Sequence, residues 1–588
     1  MKRTIYLLTA CFFTVCVTQL HAQTQWFDPL KQEFPTVQGR WWQDELKESY
    51  HRMPERFKGK VPDAVWGHAL KSAGLSIMFR TSAPEITVRY TTGVGTRQAF
   101  HWPFTGSGGV DLYATDQHGT KLWCRGKYTQ GDTILVSFAN LSYREVNKRY
   151  GYEFELFLPP YIETKWLEIG VPQGEKLTFL PVTREKPIVF YGTSIAHGGC
   201  ASRPGMMWIN MLRREMMHPT VSLGFSGSGK LEPEVFDAIA EIDANAFVID
   251  CMPNMGGRKD IAQLMISGVQ KIRRHSAAPI LLVAHAGYPG ESSSDKDRDT
   301  YTDTNRQLDE AYASLRKSGV PEVYLLPHEE FFLGLDETVD GTHPNDLGMR
   351  HLADQYEKKL RAMLHEVDGD FIFQPITQQR DQYDWRARHE AVLEMAHGTA
   401  DVVMIGNSIT HFWSGLPKDD WHRGDDSWAS LFGSRRVINM GFGWDRIENV
   451  LWRIYHGELD GYKAKKICMM LGTNNFHRNT PQEIVRGVMQ VVAAVHRRQP
   501  TAEIYVQGIY PRRGAEQAMK QLNEDLEETL YQTFGAALGK QLRFINPGEV
   551  LLDAEGKLRE ELFTGDGLHP CDKGYRLLGE HLKKDLGL

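Results

Sequence analysis

The sequence predicts an α/β protein in which two parallel-sheet units stand in tandem behind an all-β, jelly-roll-like sandwich. Three observations predict it. Short alternating apolar runs fill the first third of the chain. After Lys186 they give way to apolar strands separated by helical-length segments. That second texture starts again at Asp401.

The alternating runs, such as Ile86-Thr87-Val88-Arg89-Tyr90 and Ile134-Leu135-Val136-Ser137-Phe138, lie between about Trp41 and Leu180 and are broken by Gly, Asp and Asn turns. The first α/β unit has strands at Ile188-Val189-Phe190-Tyr191, Ala246–Asp250 and Ile280–Ala284. Its last helix is expected over 346–364, where Leu352, Tyr356, Leu360 and Leu364 recur on one face. Residues 366–385 read as a connector without a strand. The second unit runs through Asp401–Ile405, Ile467–Leu471 and Ile504-Tyr505-Val506 to a helix carrying Leu577, Leu578 and Leu582. The expected domains are a sandwich over 23–183 and α/β units over 184–366 and 367–588.

Length and composition agree with this division. At about 150 residues per domain, 588 residues imply about three or four domains, and 41% hydrophobic content gives each a core. With 68 Lys+Arg against 74 Asp+Glu the formal charge is −6, which argues against a nucleic-acid partner. Residues 1–22 read as a secretory signal peptide, with a basic tip (Lys2, Arg3), an apolar stretch from Ile5 to Val17 and a polar end before Gln23. Leu8-Thr9-Ala10-Cys11 resembles a lipoprotein cleavage box, but cutting there leaves a very short apolar core, so lipid anchoring is the lesser reading. No later stretch approaches the roughly 18 apolar residues of a membrane span. The expectation is a periplasmic or secreted protein without a transmembrane anchor. Of seven Cys, Cys11 and Cys16 fall in the leader, and Cys124, Cys200, Cys251, Cys468 and Cys571 show no paired metal-ligand spacing. Neither a metal, a disulfide framework nor another cofactor is expected.

The tandem units repeat chemistry as well as texture. Gly192-Thr193-Ser194-Ile195 after the first strand of one unit is matched by Gly406-Asn407-Ser408-Ile409 in the other. Pro253-Asn254 pairs with Gly472-Thr473-Asn474, and Asp340-Gly341-Thr342-His343-Pro344 with Asp566-Gly567-Leu568-His569-Pro570. The intervals agree: Ser to Asn is 60 and 66 residues, Asn to Asp 86 and 92, and Asp to His 3 in both. A Ser at the carboxyl end of a parallel strand lies where open α/β sheets bind ligands, and a following helix N-terminus would stabilise an oxyanion beside it. Asp-x-x-His offers an imidazole to take the Ser proton and a carboxylate to orient that ring. Asn254 and Asn474 can donate side-chain N–H groups to the oxyanion. One Gly-x-Ser turn is more often a helix cap, and one Asp-x-x-His a solvated loop pair. The ordered set, seen twice, argues for catalysis.

By these residues the chain resembles the SGNH or GDSL hydrolase superfamily, which implies flavodoxin-like α/β/α domains and ester hydrolysis. Gly192 to Gly205 is similar to a bacterial branch of that superfamily, and Gly109-Val110-Asp111-Leu112-Tyr113 resembles the Gly-x-Asp-Leu-Tyr motif of its N-terminal domain. Asn439–Asp445, Val450–Arg453, Gly457-Glu458-Leu459 and Gly472–Asn475 resemble the catalytic subunits of intracellular platelet-activating-factor acetylhydrolase. The resemblance implies Ser194 and Ser408 as nucleophiles, His343 and His569 as bases, Asp340 and Asp566 as orienting acids, and Asn254 and Asn474 as oxyanion donors. The family's backbone-donating glycine matches Gly227. Its counterpart is Trp444, where a bulky residue in a glycine conformation would be costly, so Gly443 is an alternative donor. Thr193 and Asn407 replace a family Asp that is not a triad member, and Met252-Pro253-Asn254 replaces the family's Gly-x-Asn.

The expected function is removal of acetyl groups from a glycan or sialic acid. The alternatives are a lysophospholipase or thioesterase, or a unit or sandwich serving as a glycan-binding module. His197, His285 and Arg203 are candidates for the first pocket, against structural roles for the histidines. Phe412, Trp413 and Trp421 are candidates for a sugar-stacking wall, against a core role. Trp41, Trp42 and Trp102 invite a carbohydrate-binding reading of the sandwich, against one in which it packs on and completes the first site.

Overall fold

The computed structural model describes residues 23–95, 99–129, 131–143, 151–289, 293–367, 373–380 and 382–588; the expected leader lies outside them. Two antiparallel sheets form the sandwich. One has the order Thr24–Phe27, Ile162–Pro172, Glu85–Gly95, Ile134–Ala139, Lys127–Thr129, and the other Leu177–Phe179, Ser76–Thr81, Tyr152–Phe157, Asp111–Thr115, Lys121–Cys124. The alternation seen in sequence places Ile86, Val88, Tyr90, Val136 and Phe138 inward, where they meet Ile77, Phe79, Phe154 and Leu156 of the facing sheet.

The strand texture expected from Trp41 develops only at Ser76, after a two-residue strand at Val37–Gln38. Between them, short helices Gln43–Leu46 and Asp63–Ala69 carry Trp42, Leu46, Val65 and Trp66 into the core of the first α/β unit. Trp41 packs against that core, and Trp42 donates its indole N–H to Glu241 at 2.8 Å. Trp102 is also buried and donates to the Ala201 carbonyl at 2.7 Å. These indoles serve packing, and the N-terminal region is docked on the first unit.

Each α/β unit has a five-stranded parallel sheet. The first has the spatial order Thr220–Gly224, Ile188–Gly192, Ala246–Asp250, Ile280–Val283, Val323–Leu326, and the second Val437–Gly441, Gly398–Gly406, Tyr462–Met470, Glu503–Gln507, Leu542–Ile545. In order within each unit this is 2-1-3-4-5, the flavodoxin-like arrangement, with a switch point at the carboxyl ends of its central strands. Register brings Gly192 level with Gly224 and Asp250, and Gly406 level with Gly441 and Met470. The loops after strands 1, 2 and 3 therefore converge. Long helices Asp346–Met363 and Asp572–Leu586 close the two units, burying Leu352, Tyr356 and Leu360 in one and Leu578 and Leu582 in the other.

Second strands Thr220–Gly224 and Val437–Gly441 do not stand out in sequence because polar Ser222 and Asn439 interrupt them. Both polar residues have long-range partners. Arg52, fully enclosed, donates to the carbonyls of Ser222 and Gly224, and Arg388 does the same for Asn439 and Gly441. Burial lowers the Arg52 pKa to about 9 and that of Arg388 to about 10.

The two units meet through buried charge. His218 of the first stacks on His456 of the second with centroids 4.0 Å apart, and Glu185 lies 2.6 Å from His456 Nδ1 and 3.6 Å from His389. The sandwich reaches the second unit through Arg80 to Asp384 and Glu153 to Arg386.

Candidate active sites

The expected residues come together in both units. Ser194 follows the first strand, and its Oγ lies 2.9 Å from His343 Nε2; His343 Nδ1 is 2.8 Å from Asp340 Oδ2. The corresponding distances in the second unit are 2.8 Å for Ser408 to His569 and 2.6 Å for His569 to Asp566. Each Asp-x-x-His segment folds locally. The other carboxylate oxygen accepts backbone N–H groups of the His and of the residue before it, at 2.8 and 3.0 Å for Asp340 and 3.0 and 2.9 Å for Asp566. Burial pushes both carboxyls upward, yet these N–H groups and the imidazole hold each below the usual carboxylate range.

The helix N-terminus expected beside each Ser is reduced. Residues 193–199 form turns, and Ser408 opens a helix of only four residues, Ser408–His411, with Asn407 as its cap. Such short segments sum few peptide dipoles, so an anion beside either Ser would depend on directed N–H groups rather than a macrodipole. Candidate N–H groups stand on the loops after the second and third strands. Gly227 follows the second strand with φ +67°, and Trp444 occupies the matching turn with φ +66°. Asn254 donates its side-chain N–H to the Ser228 carbonyl, and Asn474 donates to that of Asp445 at 2.9 Å. In each unit the acceptor is the residue after the left-handed one, so Trp444 is the structural counterpart of Gly227. Each carboxamide has a second N–H to offer.

Gly443 has another task. Its N–H donates to His411 Nδ1 at 3.0 Å, as the Ser226 N–H donates to His197 Nδ1 at 3.3 Å. His197 and His411 each stand three residues after the serine, and each buttresses the turn that holds Gly227 or Trp444. Burial lowers the pKa of both, that of His411 to about 4, which keeps Nδ1 an acceptor. The repeated Gly-x-Ser-Ile-x-His pattern was the sequence signal for this pair, although only its first histidine is singled out there, and for pocket lining.

Other expectations divide. Buried His285 accepts the Gly287 N–H and packs on Tyr288 and Tyr301. Arg203 is held by Asp111 and Tyr113, and Asp111 also accepts the Gly205 N–H at 3.0 Å. The Gly-x-Asp-Leu-Tyr segment thus clamps the loop that follows Ser194. Tyr161, also from the N-terminal region, donates to the Ser194 carbonyl at 3.2 Å, and His101 approaches His343 with ring centroids 6.2 Å apart. Around Ser408 a cleft of about 850 Å³ is lined by Phe412, Trp421, Arg423 and Trp444. Trp413 is instead core, stacked on Tyr575.

Two groups have donor types that suit a divalent metal: His101, Cys200 and His343, and Glu185, His218 and His456, each with ligand atoms within 4.8 Å of one another. Neither was visible from spacing. His343 in the first is engaged with Ser194 and Asp340, and the second is held by hydrogen bonds to Glu366 and the Met216 carbonyl. Among the described residues no helix is long and apolar enough to cross a membrane.

An α/β sheet of 2-1-3-4-5 order with Ser, Asn and Asp-x-x-His at its switch point defines the hydrolase class to which the sequence pointed. Comparison with known proteins agrees: descriptions of the GDSL-like lipase/acylhydrolase family match residues 185–361 and 404–577, and the N-terminus of SGNH-hydrolase-type esterases matches 24–177. The human platelet-activating factor acetylhydrolase IB subunit alpha2 is 30% identical over 192 residues, 32% of this chain and 78% of that one. The human alpha1 subunit is 29% identical over 140 residues, 24% of this chain and 56% of that one. A Bacteroides ovatus protein described as a GDSL-like lipase superposes with TM-score 0.52 at 28% identity, covering 58% of this chain and 98% of its own. The chain belongs to the SGNH/GDSL hydrolase family, with two GDSL-like domains in tandem behind a Gly-x-Asp-Leu-Tyr region.

Proposed function

We propose that the protein is an exported serine esterase that removes short acyl groups, chiefly acetyl, from carbohydrates, with an active site in each α/β unit. The observation that carries this reading is the pair of unbroken Ser–His–Asp hydrogen-bond chains, 2.9 and 2.8 Å in one unit and 2.8 and 2.6 Å in the other. His343 or His569 takes the hydroxyl proton as Ser194 or Ser408 attacks the acyl carbonyl, and the adjacent Asp stabilises the resulting imidazolium. The tetrahedral oxyanion accepts the free N–H of Asn254 or Asn474 and the backbone N–H of Gly227 or Trp444. The imidazolium then protonates the departing sugar oxygen. Water, deprotonated by the same ring, releases the acid and restores the serine.

Acetyl as the acyl group is supported by the relatives' being acetylhydrolases. A sugar is supported by Trp421 and Trp444, which flank the Ser408 cleft with 70% and 51% of their surface exposed. Flat aromatic faces open to water beside the nucleophile suit a sugar ring. Acetate release from acetylated glycans tests the reading with Ser194→Ala, Ser408→Ala and the double variant. Each single variant is expected to lose one site's share and the double variant all of it. Activity surviving in the double variant would falsify the serine mechanism.

A further inference from the structure

We propose that Arg423 forms a carboxylate-binding subsite of the second active site, so that the ester cleaved at Ser408 is carried by an acidic sugar of the uronic type. This deepens the esterase reading above and rests on it.

The backbone places the arginine beside the nucleophile segment. Its N–H donates to the Phe412 carbonyl at 2.7 Å, and Trp413 and Arg423 form a parallel bridge, so the loop between them folds back toward Ser408. The guanidinium carbon stands 5.9 Å from the Phe412 ring centroid and 5.6 Å from that of Trp421. The same Phe412 ring is 5.6 Å from the His569 imidazole. The cation therefore lies one aromatic ring away from the base, and it lines the same cleft.

One nitrogen of that guanidinium is unsatisfied. Its Nη1 is buried without a hydrogen-bond partner, and among the described residues no carboxylate pairs with it. A buried donor on a charged group is costly unless something supplies the acceptor. The carboxylates that share the cleft are engaged elsewhere, with one exception. Asp566 is bonded to His569, Asp419 lies 2.9 Å from His411 Nε2, and Asp384 is paired with Arg80. Asp420 is exposed. In the first unit, by contrast, Arg203 is consumed by Asp111 and Tyr113. A planar fork of donors beside two perpendicular aromatic rings whose centroids are 6.0 Å apart suits a carboxylate on a ring that rests against them.

The test uses the full chain carrying Ser194→Ala, so that only the second site works. Its two substrates are O-acetylated methyl glucuronide and O-acetylated methyl glucoside, which differ in carboxylate against hydroxymethyl. We expect kcat/KM to favour the uronide by about tenfold or more, mainly through KM, with the preference shrinking as salt rises. Arg423→Gln should bring the ratio to about one, and Arg423→Lys, which keeps charge without the fork, to an intermediate value. A parent ratio near one, a ratio unchanged in Arg423→Gln, or a stronger preference for a sulfated sugar would overturn the subsite while leaving the esterase intact. Release that persists when Ser408→Ala is added would instead overturn the esterase reading.

Discussion

Trp444→Gly separates the backbone of the oxyanion turn from its side chain. Trp444 has φ +66°, within a degree of Gly227 at +67°, and a residue with a β-carbon pays about 1–2 kcal/mol there. Glycine removes that strain but gains freedom in the unfolded chain, an offset of about 0.4–1 kcal/mol. The indole is 51% exposed and has the Arg380 guanidinium 5.1 Å from its centroid, so losing its buried half costs glycine and alanine alike. Trp444→Gly should therefore be more stable than Trp444→Ala by about 1 kcal/mol, since both lose the indole and only alanine keeps the strain. Denaturant midpoints read this difference. Kinetics in the Ser194→Ala background read the rest. The backbone N–H survives in both variants, so kcat on a small acetyl ester should persist, while KM for an acetylated sugar rises about 2- to 10-fold with loss of one stacking face. A fall in kcat of a hundredfold or more in Trp444→Gly, or alanine proving more stable than glycine, would refute the matching of the two turns.

Three further outcomes follow from the geometry. Asp566→Asn in the Ser194→Ala background should lower kcat by about 10³–10⁴-fold, because an amide cannot hold His569 in the productive tautomer; steady-state acetate release measures it. Arg453 is fully buried between Asp445, at 2.8 Å, and Glu458, so Arg453→Met should cost about 3–5 kcal/mol in denaturant unfolding by stranding both acids. Buried His389 is opposed by desolvation, but Glu185 and Glu458 raise its pKa to about 9. Its folded value lies above the ordinary histidine value of 6.5, so its stabilisation is complete below about pH 6.5 and is lost as pH climbs through about 9. Thermal midpoints should fall across that window in the parent and fall less in His389→Gln.

What the sequence determined by itself is what local pattern and order can carry. Ala246–Asp250 and the Ile467–Met470 end of its counterpart strand are apolar enough to announce a buried parallel sheet, and Asp-x-x-His is a self-contained turn whose carboxylate caps its own backbone. The ordered recurrence of Ser, Asn and Asp-x-x-His then named the residues that converge. Tertiary structure decided what depends on partners distant in sequence. Only the fold shows that Trp444 shares Gly227's left-handed backbone, that Gly443 spends its N–H on His411, and that Arg203 is paired while Arg423 has no carboxylate partner among the described residues. Nor could periodicity reveal that polar Ser222 and Asn439 belong to buried strands, since the arginines that satisfy their carbonyls lie 170 and 51 residues away. Periodicity records which face of an element is buried; the partner of a buried charge or hydrogen-bonding group is chosen by packing between elements, and that choice sets whether the group is spent on structure or left for a ligand.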